Sequence, residues 1–194
     1  MDKNYVQNIF SKYNTDKARH ENYCGVYAEI FNSLTPQNIL EFGVWKGESL
    51  YAWAELFPNS LITGVDLLPP KYYCDNSCGF GGSHSVTSDK CVPCKKLIQN
   101  NRIKFIQQDY TSMLSLRGKF DLIIDDADHT LENQILSLNY LKYLTSNGVM
   151  VIEDVNVDNA NAIQEKIPES YSANHYDLRG LPDEYLIVIK RKQD

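Results

Sequence analysis

Residues 39–66 read ILEFGVWKGESLYAWAELFPNSLITGVD, and this stretch decides the fold. Ile39 to Phe42 is a short apolar run of the kind that forms a buried strand. Gly43-Val44-Trp45-Lys46-Gly47 follows as a turn, and Leu50, Trp53, Ala54 and Phe57 then recur at the i, i+3, i+4, i+7 spacing of an amphipathic helix. Leu61 to Val65 is a second strand, and Asp66 stands at its end. A strand–turn–helix–strand unit closes with a right-handed crossover and opens a ligand crevice at the carboxyl ends of its strands. Glycines in the turn let a ligand approach the backbone, and the helix start offers free N–H groups. Asp66 is placed to accept hydrogen bonds from a ribose diol.

The spacing within the turn selects among nucleotide ligands. A dinucleotide site uses G-x-G-x-x-G around a pyrophosphate. Here the pattern is Glu41-x-Gly43-x-x-x-Gly47-x-Ser49, with an acid ahead of the first glycine. A carboxylate there repels a pyrophosphate and suits a cationic ligand carrying an amino group. The pattern resembles the first motif of class I S-adenosylmethionine (SAM) methyltransferases. That resemblance implies that Gly43, Gly47 and Ser49 line the cofactor, that Glu41 supports its amino-acid end and that Asp66 holds its ribose.

The rest of the chain fits one α/β domain over residues 1–194. It has 194 residues, of which 43% are hydrophobic, enough for a sizeable core and too many for wholesale disorder. The net charge of −6 without a basic run argues against a nucleic-acid substrate. No apolar run approaches the ~20 residues of a membrane span, and the first residues lack the apolar core of a signal peptide, so a cytoplasmic protein is expected. Residues 2–13 and Tyr23 to Leu34 pattern as two helices, which form a cap over residues 1–35 beside the cofactor edge. Between them Thr15-Asp16-Lys17, His20, Tyr23 and Tyr27 are either a surface loop or a lid over cofactor and substrate. Further strands are expected at Ile103 to Gln107, Phe120 to Ile124 and Val149 to Ile152, with a closing hairpin of Tyr171 to Leu178 and Glu184 to Arg191. A short helix is expected from Thr111, a long one from Thr130 to Leu144 closed by Asn147-Gly148, and another over Asp158 to Lys166. The total is seven strands in a doubly wound, mostly parallel sheet with an antiparallel last strand, the Rossmann-like class I methyltransferase architecture.

Four of these strands end in acids: Asp66, Asp109, Asp125-Asp126 and Glu153-Asp154. Parallel strands bring those ends to one edge, where a cation relieves the repulsion. Asp109 and Asp125 are assigned to the cofactor side. Asp126 and His129 are three residues apart at a helix start and can face one side. The segments Ile123-Ile124-Asp125-Asp126-Ala127-Asp128-His129 and Val151-Ile152-Glu153-Asp154 together resemble the macrocin O-methyltransferase family, which methylates sugar hydroxyls. The order Thr15-Asp16-Lys17, His20, Tyr23, Tyr27 also matches that family's amino-terminal pattern, while Ala127-Asp128 stands where the family writes Gly-Ser. The resemblance implies Mg²⁺ held by Asp126, Glu153 and Asp154, His129 as general base, and a sugar or nucleotide-sugar acceptor. The competing readings are a catechol-type O-methyltransferase, a non-catalytic SAM-binding module, and acids that only cap helices. Homo-oligomerisation stays open.

Residues 67–94 form a Gly/Ser-rich insertion. Cys74-x-x-x-Cys78 and Cys91-x-x-Cys94 within it have the spacing of a structural Zn²⁺ site, with two disulfides or free thiols as the alternatives.

Overall fold

The structure is a computed structural model and describes residues 1–18, 21–69, 100–112, 114–178 and 185–193. Two helices come first, α1 (Lys3–Tyr13) and α2 (Glu21–Ser33), joined through a short 3₁₀ turn at Asp16–Ala18. The unit read from residues 39–66 follows as β1 (Asn38–Phe42), α3 (Glu48–Leu56) and β2 (Leu61–Asp66). Then come β3 (Ile103–Gln107), β4 (Phe120–Asp125), α4 (Leu131–Ser137), β5 (Leu144–Val155), α5 (Val157–Gln164), β6 (Tyr171–Asp177) and β7 (Tyr185–Arg191). The strands form one seven-stranded sheet in the order β3-β2-β1-β4-β5-β7-β6. The first five pair in parallel, and β7 runs antiparallel between β5 and β6. No helix among the described residues is long and apolar enough to cross a membrane.

The central strands are apolar on both faces, as parallel strands covered by helices must be. Alternate residues divide cleanly between two cores. Ile39, Leu122, Ile124, Val149 and Val151 face α1, α2 and α3. Leu40, Ile123, Met150 and Ile152 face the opposite side, with Leu138 and Leu141 beyond α4. On the first face Phe10, Tyr27 and Trp53 meet with ring centroids 5.2 to 5.8 Å apart. That aromatic group fastens the two leading helices to α3 and so fixes the segment between them over the sheet edge.

Three elements differ from expectation. The helix expected over Thr130 to Leu144 keeps its cap, with Thr130 Oγ1 accepting from the Asn133 amide at 3.4 Å, but α4 ends at Ser137. Leu138–Tyr143 continues as 3₁₀ turns, and the chain passes directly into β5 at Leu144. Asn147-Gly148 therefore lies inside β5 and closes no helix. Gly148 is there because the strand passes close to β4: a Cβ would stand 3.0 Å from the carbonyl oxygen of Phe120, where the β4–β5 register shifts. The helix expected from Thr111 is a single 3₁₀ turn, Tyr110–Ser112. Cys74, Cys78, Cys91 and Cys94 lie outside the described residues, as does His20.

Candidate functional site

The carboxyl ends of β1, β2 and β4 and the turn between α1 and α2 surround a cavity of about 400 Å³. Its walls include Thr15, Asp16 and Lys17, the Gly43–Trp45 turn, Ser49, Asp66, Asp126 and His129. A cavity of this size suits a small organic ligand.

The glycine turn is held by contact as well as by sequence. Gly43 has φ of +83°, and a Cβ on it would fall 1.9 Å from the carbonyl oxygen of Asp126. The loops after β1 and β4 thus cross at van der Waals contact, and only glycine fits. Gly47 begins α3 with φ of +80° and donates its N–H to the Val44 carbonyl at 2.7 Å. Gly47 is not among the residues that line the cavity. Trp45, between them, is a non-glycine residue at φ of +47° and is 43% exposed, with the Lys46 ammonium 4.2 Å from its ring centroid. His129 and Asp154 also adopt left-handed backbone, at +59° and +49°. Such conformations cost about 1–3 kcal/mol each and gather at functional sites.

The expected cofactor acids separate into three kinds. Asp66 lines the cavity, and its Oδ2 accepts from the amides of Val44 and Trp45 at 2.8 and 3.0 Å. It therefore shapes the turn as well as facing the cavity. Glu41 lies beneath the cavity, fully buried, and accepts from Ser49 Oγ at 2.8 Å and Trp53 Nε1 at 3.1 Å. Burial pushes its carboxyl up to about 7, against the pull of Lys17. Asp109 and Asp125 do not reach the cavity. Asp109 accepts from the amide and hydroxyl of Thr111 at 2.8 and 2.7 Å and stabilises the 3₁₀ turn. Asp125 is 2% exposed and belongs to the opposite face of the sheet, beside Ser137, where burial raises its carboxyl to about 7. The reason is strand alternation: Asp125 shares the parity of Ile123, and Glu41 that of Ile39.

The expected catalytic pair is together. His129 Nε2 lies 3.3 Å from Asp126 Oδ1 and 3.7 Å from Asp154 Oδ2. Partial burial opposes the imidazolium, but the carboxylates outweigh it and lift His129 to about 9. Asp128, the residue before His129, accepts from the Thr130 amide and hydroxyl at 3.3 and 3.2 Å and from the Asn133 side chain, and so serves the helix start.

The expected metal ligands are not the set that converges. One donor atom from each of Asp126, His129 and Asp154 lies within 4.8 Å of the other two, a spacing one divalent cation could span. Two carboxylates and an imidazole suit a hard to borderline dication. Glu153 is 1% exposed and points to the α1–α2 face, again by alternation, since it shares the parity of Val151. There its Oε1 accepts from the Tyr27 hydroxyl, and its Oε2 meets Lys17 Nζ at 3.0 Å.

Lys17, Tyr23 and Tyr27 are the site residues whose partners the sequence did not disclose. Tyr23 and Tyr27 lie one helical turn apart on α2 and donate to Asp154 and Glu153, which are adjacent on β5. Burial drives both hydroxyls well above their ordinary range, with the carboxylates adding to it, so they act as fixed donors. The i, i+4 tyrosine pair was visible in the sequence, but nothing there said which acids it would meet.

The strand order, with an antiparallel β7 inserted beside β5, is that of the class I SAM-dependent methyltransferase fold. Among solved structures the chain is similar to the SAH-bound methyltransferase of Podospora anserina, at 16% identity and a TM-score of 0.62, over 97% of this chain and 88% of that one. It is also similar to a candidate O-methyltransferase of Klebsiella pneumoniae, at 14% identity and a TM-score of 0.61 over 98% and 90% of the two chains. The ribosomal protein L11 methylase of Lactobacillus delbrueckii subsp. bulgaricus matches at 14% identity and a TM-score of 0.62 over 88% and 78%. No protein-family model and no curated protein sequence matches the chain. At these identities the likeness establishes the fold.

Proposed function

We propose that the chain is a SAM-dependent O-methyltransferase that works with a divalent cation, Mg²⁺ by donor chemistry, on a hydroxyl of a sugar or nucleotide sugar. The observation that carries this reading is the single cavity in which the glycine turn and Asp66 face Asp126 and His129. A cofactor held at the first pair and an acceptor at the second would meet without further rearrangement. The solved methyltransferases that share the fold support the reaction class. The aspartate–histidine motif and its resemblance to sugar O-methyltransferases support the acceptor class. The net charge of −6 counts against nucleic acid.

SAM, when bound, supplies an electrophilic methyl group on a sulfonium. A divalent cation, when bound, would polarise the acceptor hydroxyl and offset the carboxylate charge that keeps His129 protonated. Asp66, fixed by the Val44 and Trp45 amides, would hold the cofactor end beside the glycine turn. Asp126 and Asp154 would hold the cation, with the Tyr23 hydroxyl donating to Asp154. His129 takes the acceptor's proton at Nε2 as the oxygen–carbon bond forms and the sulfur–carbon bond breaks, leaving S-adenosylhomocysteine (SAH).

The test is methyl transfer to a panel of nucleotide sugars and one catechol, with SAH binding followed by calorimetry. EDTA should abolish transfer while SAH binding persists. His129→Ala should slow turnover by roughly 10²–10⁴-fold with little change in SAM affinity. Full activity in that variant, or tight NAD binding without SAH binding, would discard the reading. Preference for the catechol would move the acceptor class.

A further inference from the structure

The Lys17 side chain is 1% exposed, yet the methyl transfer described above gives it no step. A lysine is rarely buried unless it is paired. Here three carboxylates surround it, Glu41 in β1, Asp126 just beyond β4 and Glu153 in β5. Its ammonium lies 3.0 Å from Glu153 Oε2 and 3.8 Å from Glu41 Oε1, and donates to Asp126 Oδ2. Both oxygens of Glu153 are thereby engaged, one by Lys17 and the other by Tyr27. Asp126 is shared between two layers: Oδ2 faces Lys17 below, while Oδ1 faces His129 Nε2 at 3.3 Å.

We propose that Lys17 is a positioning residue that sets which side chains a divalent cation can use: it claims Glu153 and one oxygen of Asp126, leaving Asp126 Oδ1 and Asp154 as the carboxylate donors beside His129. The inference rests on the metal-assisted reading above and deepens it. Lys17 stands where a second cation would otherwise be attracted, so the acid edge offers one metal position and not two. Its positive charge also repels a dication held by the neighbouring oxygens. The resulting site binds metal more weakly than the number of acids at this edge suggests. Removing the ammonium should have two effects of the same sign: it frees Glu153 as a ligand and lifts the repulsion. A lysine that only supported the fold would produce the opposite, since its loss would loosen the cluster and leave metal binding unchanged or weaker.

Mn²⁺ is the probe, titrated into the full chain and followed by electron paramagnetic resonance and calorimetry, with no substrate present. Asp154→Asn should weaken Mn²⁺ binding at least tenfold, and Glu153→Gln by less than about fivefold. Lys17→Met should tighten it about tenfold or more, and the charge-balanced Lys17→Met/Glu153→Gln should return to within about threefold of wild type. That return shows that the gain needs Glu153. A tenfold loss in Glu153→Gln overturns the proposal, as does a Lys17→Met protein that binds Mn²⁺ no better than wild type, or a wild-type protein that binds none. Where Lys17→Met does not fold, the double variant decides: binding within threefold of wild type supports the ligand set, and a tenfold loss overturns it. SAH calorimetry on the same preparations without metal tests the methyltransferase reading separately, since absence of SAH binding sinks that reading and leaves the Mn²⁺ results to be read alone.

Discussion

Asp125 and Asp126 are neighbours in the chain and occupy opposite electrostatic worlds. Asp126 turns to the α1–α2 face, where burial works against its charge but Lys17 and His129 outweigh it and hold it below the ordinary carboxylate range. Asp125 turns to the α4 face, where burial outweighs the Ser137 hydrogen bond and the pull of His129 and lifts it to about 7, and its Oδ2 has no hydrogen-bond partner among the described residues. The difference teaches that an acid at a strand end carries no fixed meaning. One step in strand parity decides whether it pairs directly with a buried lysine or is buried on the other face with its charge poorly offset.

The contrast is sharpest if the cation is removed from the first face. Lys17→Met leaves Asp126, Glu153 and Glu41 buried without their shared partner and should lower the unfolding free energy by about 3–5 kcal/mol. Glu153→Gln added to it should recover part of that loss. Urea unfolding of both variants measures this, and a loss under 1 kcal/mol for Lys17→Met alone would erase the distinction between the faces.

On the other face the sign should reverse. Asp125 has a folded-state value of about 7, above the ordinary 3.8, so its favourable contribution is full below about pH 4 and is lost as pH rises through 7. Above that pH the ionised form is a burden. Asp125→Asn should therefore gain roughly 4 kcal/mol at pH 8, roughly 1–2 kcal/mol at pH 5 and almost nothing below pH 4. A pH-independent effect in paired unfolding curves would show that Asp125 is not ionising in a buried place.

The smallest expected effect concerns the hydroxyls that complete the charged face. Tyr27→Phe removes the donor to Glu153 and should cost about 1.5 kcal/mol, because Lys17 still pairs the carboxylate. A cost as large as that of Lys17→Met would shift the organising role from the lysine to the tyrosine.

Much of this was legible beforehand. The β1–α3–β2 unit, the acids at the sheet edge and the Asp126–His129 pair follow from spacing alone, because strands alternate and helices repeat on fixed periods. The parity of Glu153 and Asp125 was legible in the same way, by counting from Val151 and Ile123. Lys17 was not. A lysine in a polar turn reads as solvated, and its burial depends on acids more than a hundred residues away. The division of residues 131–143 into α and 3₁₀ turns was hidden for a similar reason. It follows from where β5 must begin in order to pair with β4, which local periodicity does not encode.

The tyrosine pair on α2 has a consequence in time. Tyr27 and Tyr23 meet their carboxylates across 126 and 131 residues of chain. During synthesis α2 leaves the ribosome long before β5 exists, so neither hydroxyl has its partner, and the Lys17 ammonium has only Glu41, until most of the sheet has been made. Contacts of such sequence separation form late and slowly. The charged edge should therefore be the last part of the domain to mature, and a chain interrupted before β5 could fold its leading helices and still hold no site.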